Sequence, residues 1–225
     1  KAWLFNQDAL SAGRPVLAVD LPGHGESGPP GEDATPAALA RDVAAAVGTG
    51  PVHLVGHSLG GAVALRMAEA EPGRVRSLTL IAPAGLGPGI DAGYLEGFLA
   101  AERRKAMKEV LQHLFADPSV VSGEMVEDTL RMKRMDGAME ALHRIAAGLV
   151  RDGRQAEDLR PILDRLDVPT LVIWGEADAI IPAAQAEGLR VSVQIVAGAG
   201  HMPQMERAAE VNRLIAAHLA AAEGA

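Results

Sequence analysis

At 225 residues, 48% of them hydrophobic and 22% charged, the chain has ordinary globular composition, long enough for a full core and fitting one domain, or one domain with an inserted subdomain. A formal net charge of −8 with dispersed arginine and lysine argues against a nucleic-acid partner, and no apolar run reaches the ~18 residues of a membrane span. The lack of cysteine excludes disulfides, thiolate chemistry and cysteine metal sites, and it is compatible with a reducing cytoplasm, the expected location.

No signal peptide opens the chain, and Lys1-Ala2-Trp3 reads as the middle of something longer. Residues 16–19 form a short apolar run after Gly13 and Pro15, predicting a strand that Asp20 ends, and LPGHGESG follows as loop. Thr35-Pro36 places an N-cap before a first-turn proline and starts a helix carrying Leu39, Val43 and Val47 on one face to about Gly48. Val52, Leu54 and Val55 predict a buried strand ending at Gly56. A helix then runs from Leu59 to Glu71, with Leu59, Val63 and Met67 at helical spacing and Pro72-Gly73 closing it. A further strand spans residues 75–81. This alternation predicts an α/β fold, a mostly parallel sheet with helices on both faces.

After Ala82-Pro83 the rhythm breaks. Residues 85–165 contain no convincing strand but several helical stretches, through Tyr94, Leu95, Phe98 and Leu99, then Val110, Leu111 and Leu114, then Met125, Leu130, Met132 and Met135, then Leu142, Ile145 and Leu149. Such an insertion predicts a helical cap over the sheet edge, its methionines acting as adaptable packing or lining an apolar pocket. The sheet resumes at residues 171–174, a short helix is expected around residues 183–187, a last strand over 191–196, and a closing helix over 208–220 packing through Val211, Leu214, Ile215 and Leu219. The core is thus expected from residues 1–84 and 166–225, with the cap from 85–165.

Ser58 lies in GHSLG, a G-x-S-x-G pattern set between a strand and a helix, where small residues allow a tight turn that exposes the side chain at its apex. Serine is also a favoured N-cap, the bland alternative for such a position. A serine nucleophile needs a base, and the base an orienting carboxylate. Among seven histidines, His201, in GAGHM after the strand at 191–196, has the strand-end setting that His24, His53, His57, His113, His143 and His218 lack. Asp178, after the strand at 171–174, is the candidate acid, with Glu176 and Asp164 as nearby rivals, while Pro83, Ala84 and Gly85 offer no carboxylate after the preceding strand. The backbone N–H of Leu59 is one candidate oxyanion donor. The second is expected upstream of Lys1, since His24 in PGHGESG sits in a loop more often structural. No metal site is expected, because His53 and His57 straddle a strand and its turn rather than sharing a helical face.

Together DLPGHGESG, VGHSLGGAVAL, LIAPAGLG, VIWGEADAIIP and GAGHMPQME resemble the α/β-hydrolase superfamily over nearly the whole chain, and the order Ser58, Asp178, His201 is that superfamily's order. WLFNQDAL, SLTLIAPAGLGPGI and IWGEADAIIPA resemble more narrowly the hydrolase-like carboxyl-terminal domain of the dihydrolipoamide acetyltransferase subunit of acetoin dehydrogenase complexes. The resemblance implies that Ser58 takes an acyl group from an ester or thioester, with His201 as base then acid and Asp178 holding the imidazole. Three readings follow from it. The first is an ester or thioester hydrolase needing no cofactor and taking a small acyl substrate under the cap. The second is an acetyltransferase module using lipoamide and coenzyme A as substrates beside other subunits of a dehydrogenase complex. The third is a non-catalytic scaffold that keeps the fold.

Overall fold

The β-branched and leucine-rich runs of the sequence become a four-stranded sheet whose strands all pair in parallel, β1 (Val52–His57), β2 (Val75–Ile81), β5 (Thr170–Gly175) and β6 (Ser192–Val196), in the order β1-β2-β5-β6. This is a computed structural model that describes residues 2–224. Lys1 and Ala225, the outer ends of the expected core segments, lie outside the described residues. Around the sheet lie α1 (Gln7–Leu10), α2 (Pro36–Ala46), α3 (Leu59–Ala70) and, at the chain's end, α9 (Pro203–Glu206) and α10 (Ala208–Glu223). Between β2 and β5 come α4 (Ala92–Ala100), α5 (Arg104–Gln112), α6 (Gly123–Lys133), α7 (Ala138–Leu149), the strands β3 (Val150–Arg151) and β4 (Arg154–Gln155), and α8 (Arg160–Leu163).

Alternation along the buried strands divides the core into two layers. On β5, Leu171 and Ile173 pack with Val211, Ile215 and Leu219 of α10, whereas Val172 and Trp174 face the layer of Leu65 and Ala68 from α3 and Leu159, Ile162 and Leu163 around α8. Both faces of β5 are covered, so the strand is apolar throughout instead of alternating with polar residues. Helix α2 starts as its sequence predicts, with the Thr35 side chain accepting from Ala38 N, and packs Leu39, Ala40 and Val43 against Val63 and Met67 of α3. The inserted helices hold an apolar cluster of their own, Met107, Leu111, Phe115, Val126 and Leu130, which also takes in Met202. Met132 and Met135 line a cavity of about 110 Å³ between α6, α7 and the loop around Gly23–Pro29.

Two expectations need correction. The strand expected over residues 16–19 does not form. Residues 15–20 pair with no strand among the described residues, and Leu17 is 69% exposed. An apolar run becomes a strand only where a neighbour takes its backbone hydrogen bonds, and β1, at the sheet edge, is paired with β2 alone. Conversely, residues 85–165 do contain strands. β3 and β4 form a short antiparallel hairpin, Val150 opposite Gln155 and Arg151 opposite Arg154, turned by Asp152 and Gly153, both with positive φ. Two residues per strand leave no readable periodicity, and the hairpin is fixed by the Gln155 amide. That amide donates to Gly89 O (2.7 Å) and Gln185 Oε1 (3.0 Å) and accepts from Gly85 N.

Candidate active site

Ser58 follows the last residue of β1 directly and precedes the first of α3, and the turn is too tight for an ordinary backbone. Its φ of 52° and ψ of −119° are costly for a residue with a Cβ, about 1–3 kcal/mol, so the surroundings must impose them. They do so through four backbone hydrogen bonds. Ser58 N donates to Ile81 O (2.9 Å), and Ser58 O accepts from Gly61 N (2.9 Å), Ala62 N (3.2 Å) and Ala84 N (3.0 Å). The turn also needs the bare backbone of Gly61, where a Cβ would lie 2.7 Å from Pro83 Cβ. The Ser58 hydroxyl makes no capping hydrogen bond to α3, so the bland N-cap role is not the one it fills.

Asp178 sits in the loop after β5 with its side chain fully buried, and four donors converge on the carboxylate. Oδ1 accepts from Ile180 N (2.8 Å) and Ile181 N (2.9 Å), and Oδ2 from Trp174 Nε1 (3.0 Å) and His201 Nδ1 (2.8 Å). The fully buried Trp174 reaches this position from β5 and also donates to Ile181 O (2.9 Å), so one indole fixes both the carboxylate and its loop. The rival Glu176 instead accepts from Gly198 N (3.2 Å), and Asp164 ends α8.

His201, 3% exposed, follows β6 in a loop held from several sides. Glu206 Oε2 accepts from Gly200 N (2.6 Å) while its Oε1 accepts from Ala116 N (2.8 Å) and Asp117 N (3.3 Å). One carboxylate therefore ties the His201 loop to the inserted helices. The hydrogen bond to Asp178 places the His201 proton on Nδ1 and leaves Nε2 with its lone pair.

The expectation that His57 lacks a strand-end setting is corrected by the structure. His57 is the final residue of β1, its Nε2 donates to the backbone carbonyl of His201 (2.7 Å), and the two rings lie 4.8 Å apart. This contact brings the turn carrying Ser58 and the loop carrying His201 together. Burial, with the neighbouring His201 second, drives the His57 pKa down to about 3, so its ring is neutral at ordinary pH. The other strand histidine, His53, bonds Ser77 Oγ (2.8 Å) and shares no partner with His57. His24 stays within its own loop, Nδ1 to Pro22 O at 3.3 Å.

The depressed His57 pKa makes the fold sensitive to acid. The unfolded imidazole takes up a proton near pH 6.5 whereas the folded one does so only near pH 3. Stability from this group is complete well above pH 6.5 and is lost as pH falls through 6.5 toward 3. The slope from His57 is about half of 1.4 kcal/mol per pH unit near pH 6.5 and approaches that value well below it, with His24, His53 and His218, also lowered by burial, acting in the same direction. Urea unfolding at pH 7, 6 and 5 is expected to show this slope, reduced by about one proton's share in His57→Gln. Identical slopes in parent and variant would contradict it.

Residues 2–214 match the sequence pattern of the alpha/beta hydrolase family. The dihydrolipoyllysine-residue acetyltransferase component of the acetoin cleaving system of Pseudomonas putida is 47% identical over 96% of this chain, and that of Cupriavidus necator 45% over 96%. In both cases the chain spans 59% of the relative's length. A pimeloyl-[acyl-carrier protein] methyl ester esterase of Neisseria meningitidis is 34% identical over 88% of this chain and 80% of its own. Among solved structures, a meta-cleavage product hydrolase of Pseudomonas fluorescens superimposes with a TM-score of 0.85 at 21% identity, covering 98% of this chain and 85% of that one. A thermophilic esterase of Thermogutta terrifontis does so with 0.78 at 26%, again over 98% and 85%.

Proposed function

The chain belongs to the alpha/beta hydrolase family, and from that premise we propose that it is a serine-nucleophile acyl-transfer enzyme acting on esters or thioesters through Ser58, His201 and Asp178. The observation that carries this reading is the 2.8 Å bond from His201 Nδ1 to a fully buried Asp178, in a loop pinned to the strained turn that presents Ser58. In the proposed reaction His201 Nε2 takes the Ser58 proton as Oγ attacks the acyl carbonyl. The same proton then goes to the departing alkoxide or thiolate, leaving an acyl-serine. Asp178 favours the imidazolium formed between these steps. The Leu59 N–H, first of α3 and without an acceptor inside the helix, serves in this reading as one donor to the tetrahedral oxygen, supported by the positive end of the helix. A second acceptor, water or a thiol, activated by the same Nε2, completes the turnover. The inserted helices of residues 85–165 serve in this reading as the cap over a small acyl substrate, and no cofactor is required for hydrolysis.

A second reading is favoured by the 47% identity to an acetyltransferase component of an acetoin cleaving system. Here the acceptor is coenzyme A and the donor acetyl-dihydrolipoamide, and the chain works beside other subunits of that system. Both readings share the acyl-serine and differ in what removes the acyl group. Turnover of a chromogenic acetyl ester and of acetyl-dihydrolipoamide, each with and without coenzyme A, separates them. Ester turnover indifferent to coenzyme A supports hydrolysis, and acceleration confined to coenzyme A supports transfer. Failure of both substrates would overturn both readings and leave a non-catalytic scaffold.

A further inference from the structure

We propose that His57 is a positioning residue for the base, holding His201 in its working orientation through the main chain rather than through the ring. This rests on the reading of His201 as that base. His201 is fixed at its ring by Asp178, which controls the direction of Nδ1. A ring held at one nitrogen still moves with its backbone, and although Glu176, Ala177 and Glu206 hold the preceding segment at Gly198, Ala199 and Gly200, none of these contacts reaches the His201 carbonyl. The His57 N–H grips the His201 carbonyl at 2.7 Å, and its ring packs against the His201 ring at 4.8 Å with the planes tilted by 56°. Because His57 immediately precedes Ser58 and ends a paired strand, the nucleophile and the base loop are referred to the same two residues of β1 and its turn. A displacement of the base by 1 Å can cost ~100-fold in rate, which sets the size of what this contact protects.

The same geometry assigns the His57 proton to Nε2, since a carbonyl only accepts. The groups facing this ring are His201 and Asp178, and its burial keeps it neutral, so it contributes a dipole and no charge beside the base. A protonated ring there would oppose formation of the His201 imidazolium. The proposed function uses a residue at this position only as part of the turn, so the contact is a separate requirement of the site.

Two polar substitutions test the proposal by reach. The glutamine side chain in His57→Gln carries its amide N–H about as far from the backbone as the imidazole Nε2, whereas the shorter amide in His57→Asn ends short of the His201 carbonyl. Three quantities are read on the purified chain: kcat and KM for a chromogenic acetyl ester, the melting temperature, and the downfield proton resonance of His201 Nδ1–H bonded to Asp178. His57→Asn is expected to lose ~10- to 100-fold in kcat with KM within about threefold, and to broaden the His201 resonance. His57→Gln is expected to recover most of the rate and a sharp resonance. A merely structural role would lower the melting temperature of both variants and separate neither kcat nor the resonance. The proposal is overturned if His57→Asn keeps kcat within about twofold and a sharp resonance, or if His57→Gln loses as much as His57→Asn. Ser58→Ala run alongside keeps the two ideas apart. If its turnover matches the parent's, the triad reading fails, while the His201 resonance still reports whether His57 positions that ring.

Discussion

Ser58→Ala is expected to lower kcat for a chromogenic acetyl ester by roughly 10⁴- to 10⁶-fold while leaving the fold as stable as the parent. The large kinetic effect follows from the proposed chemistry, in which no other group supplies the bond to the acyl carbon. The small stability effect follows from the local structure. The hydroxyl makes no capping hydrogen bond to α3, so alanine removes nothing the helix uses. Alanine retains the Cβ that makes a φ of 52° costly, so the strain of the turn is unchanged, and the backbone bonds to Ile81, Gly61, Ala62 and Ala84 remain. Steady-state assays beside a thermal melt check both halves. Equal turnover in parent and variant would remove Ser58 from the mechanism.

Asp178→Asn is the second large effect, and it acts on rate and stability together. The carboxylate accepts from four N–H donors, two at each oxygen. An asparagine has one accepting oxygen. If that oxygen keeps the backbone N–H groups of Ile180 and Ile181, the amide N–H₂ faces the Trp174 and His201 N–H groups, donor against donor, in a fully buried position. His201 can relieve this only by moving its proton to Nε2, the nitrogen that must accept from Ser58. Turnover is therefore expected to fall about 10⁴-fold. The Trp174 N–H keeps Ile181 O (2.9 Å) but loses its carboxylate acceptor and meets the amide N–H₂ instead, a buried donor–donor contact expected to cost about 1–3 kcal/mol, read as a shifted urea midpoint. A loss of less than tenfold in kcat would place the acid elsewhere, with Glu176 the next residue to replace.

Much of this was legible in the sequence because the signals were local. The strand β5 stands out because burial on both faces leaves an uninterrupted apolar run from Leu171 to Trp174, and the start of α2 stands out because Thr35-Pro36 is both cap and first-turn signal. The G-x-S-x-G turn is readable for the same reason, since Gly56 and Gly61 are demanded by contacts within a few residues and at Pro83. Residues 16–19 misled because a strand is a property of a pair, and local pattern cannot reveal whether a partner is beside it. The hairpin β3–β4 was invisible because two residues per strand carry no period. His57 was passed over because its partner lies 144 positions away. Its one local signal was position, a histidine at the end of a strand directly before the candidate nucleophile. The Glu206 contacts to Ala116 N and Asp117 N were hidden likewise, since they span 90 and 89 positions.

Activation of Ser58 as a nucleophile by His201 is read directly by covalent trapping with a fluorophosphonate followed by peptide mass spectrometry. A single adduct on the peptide containing Ser58 is predicted, formed rapidly in the parent and lost in His201→Gln. An unmodified Ser58, or an adduct that forms equally fast without His201, would contradict it.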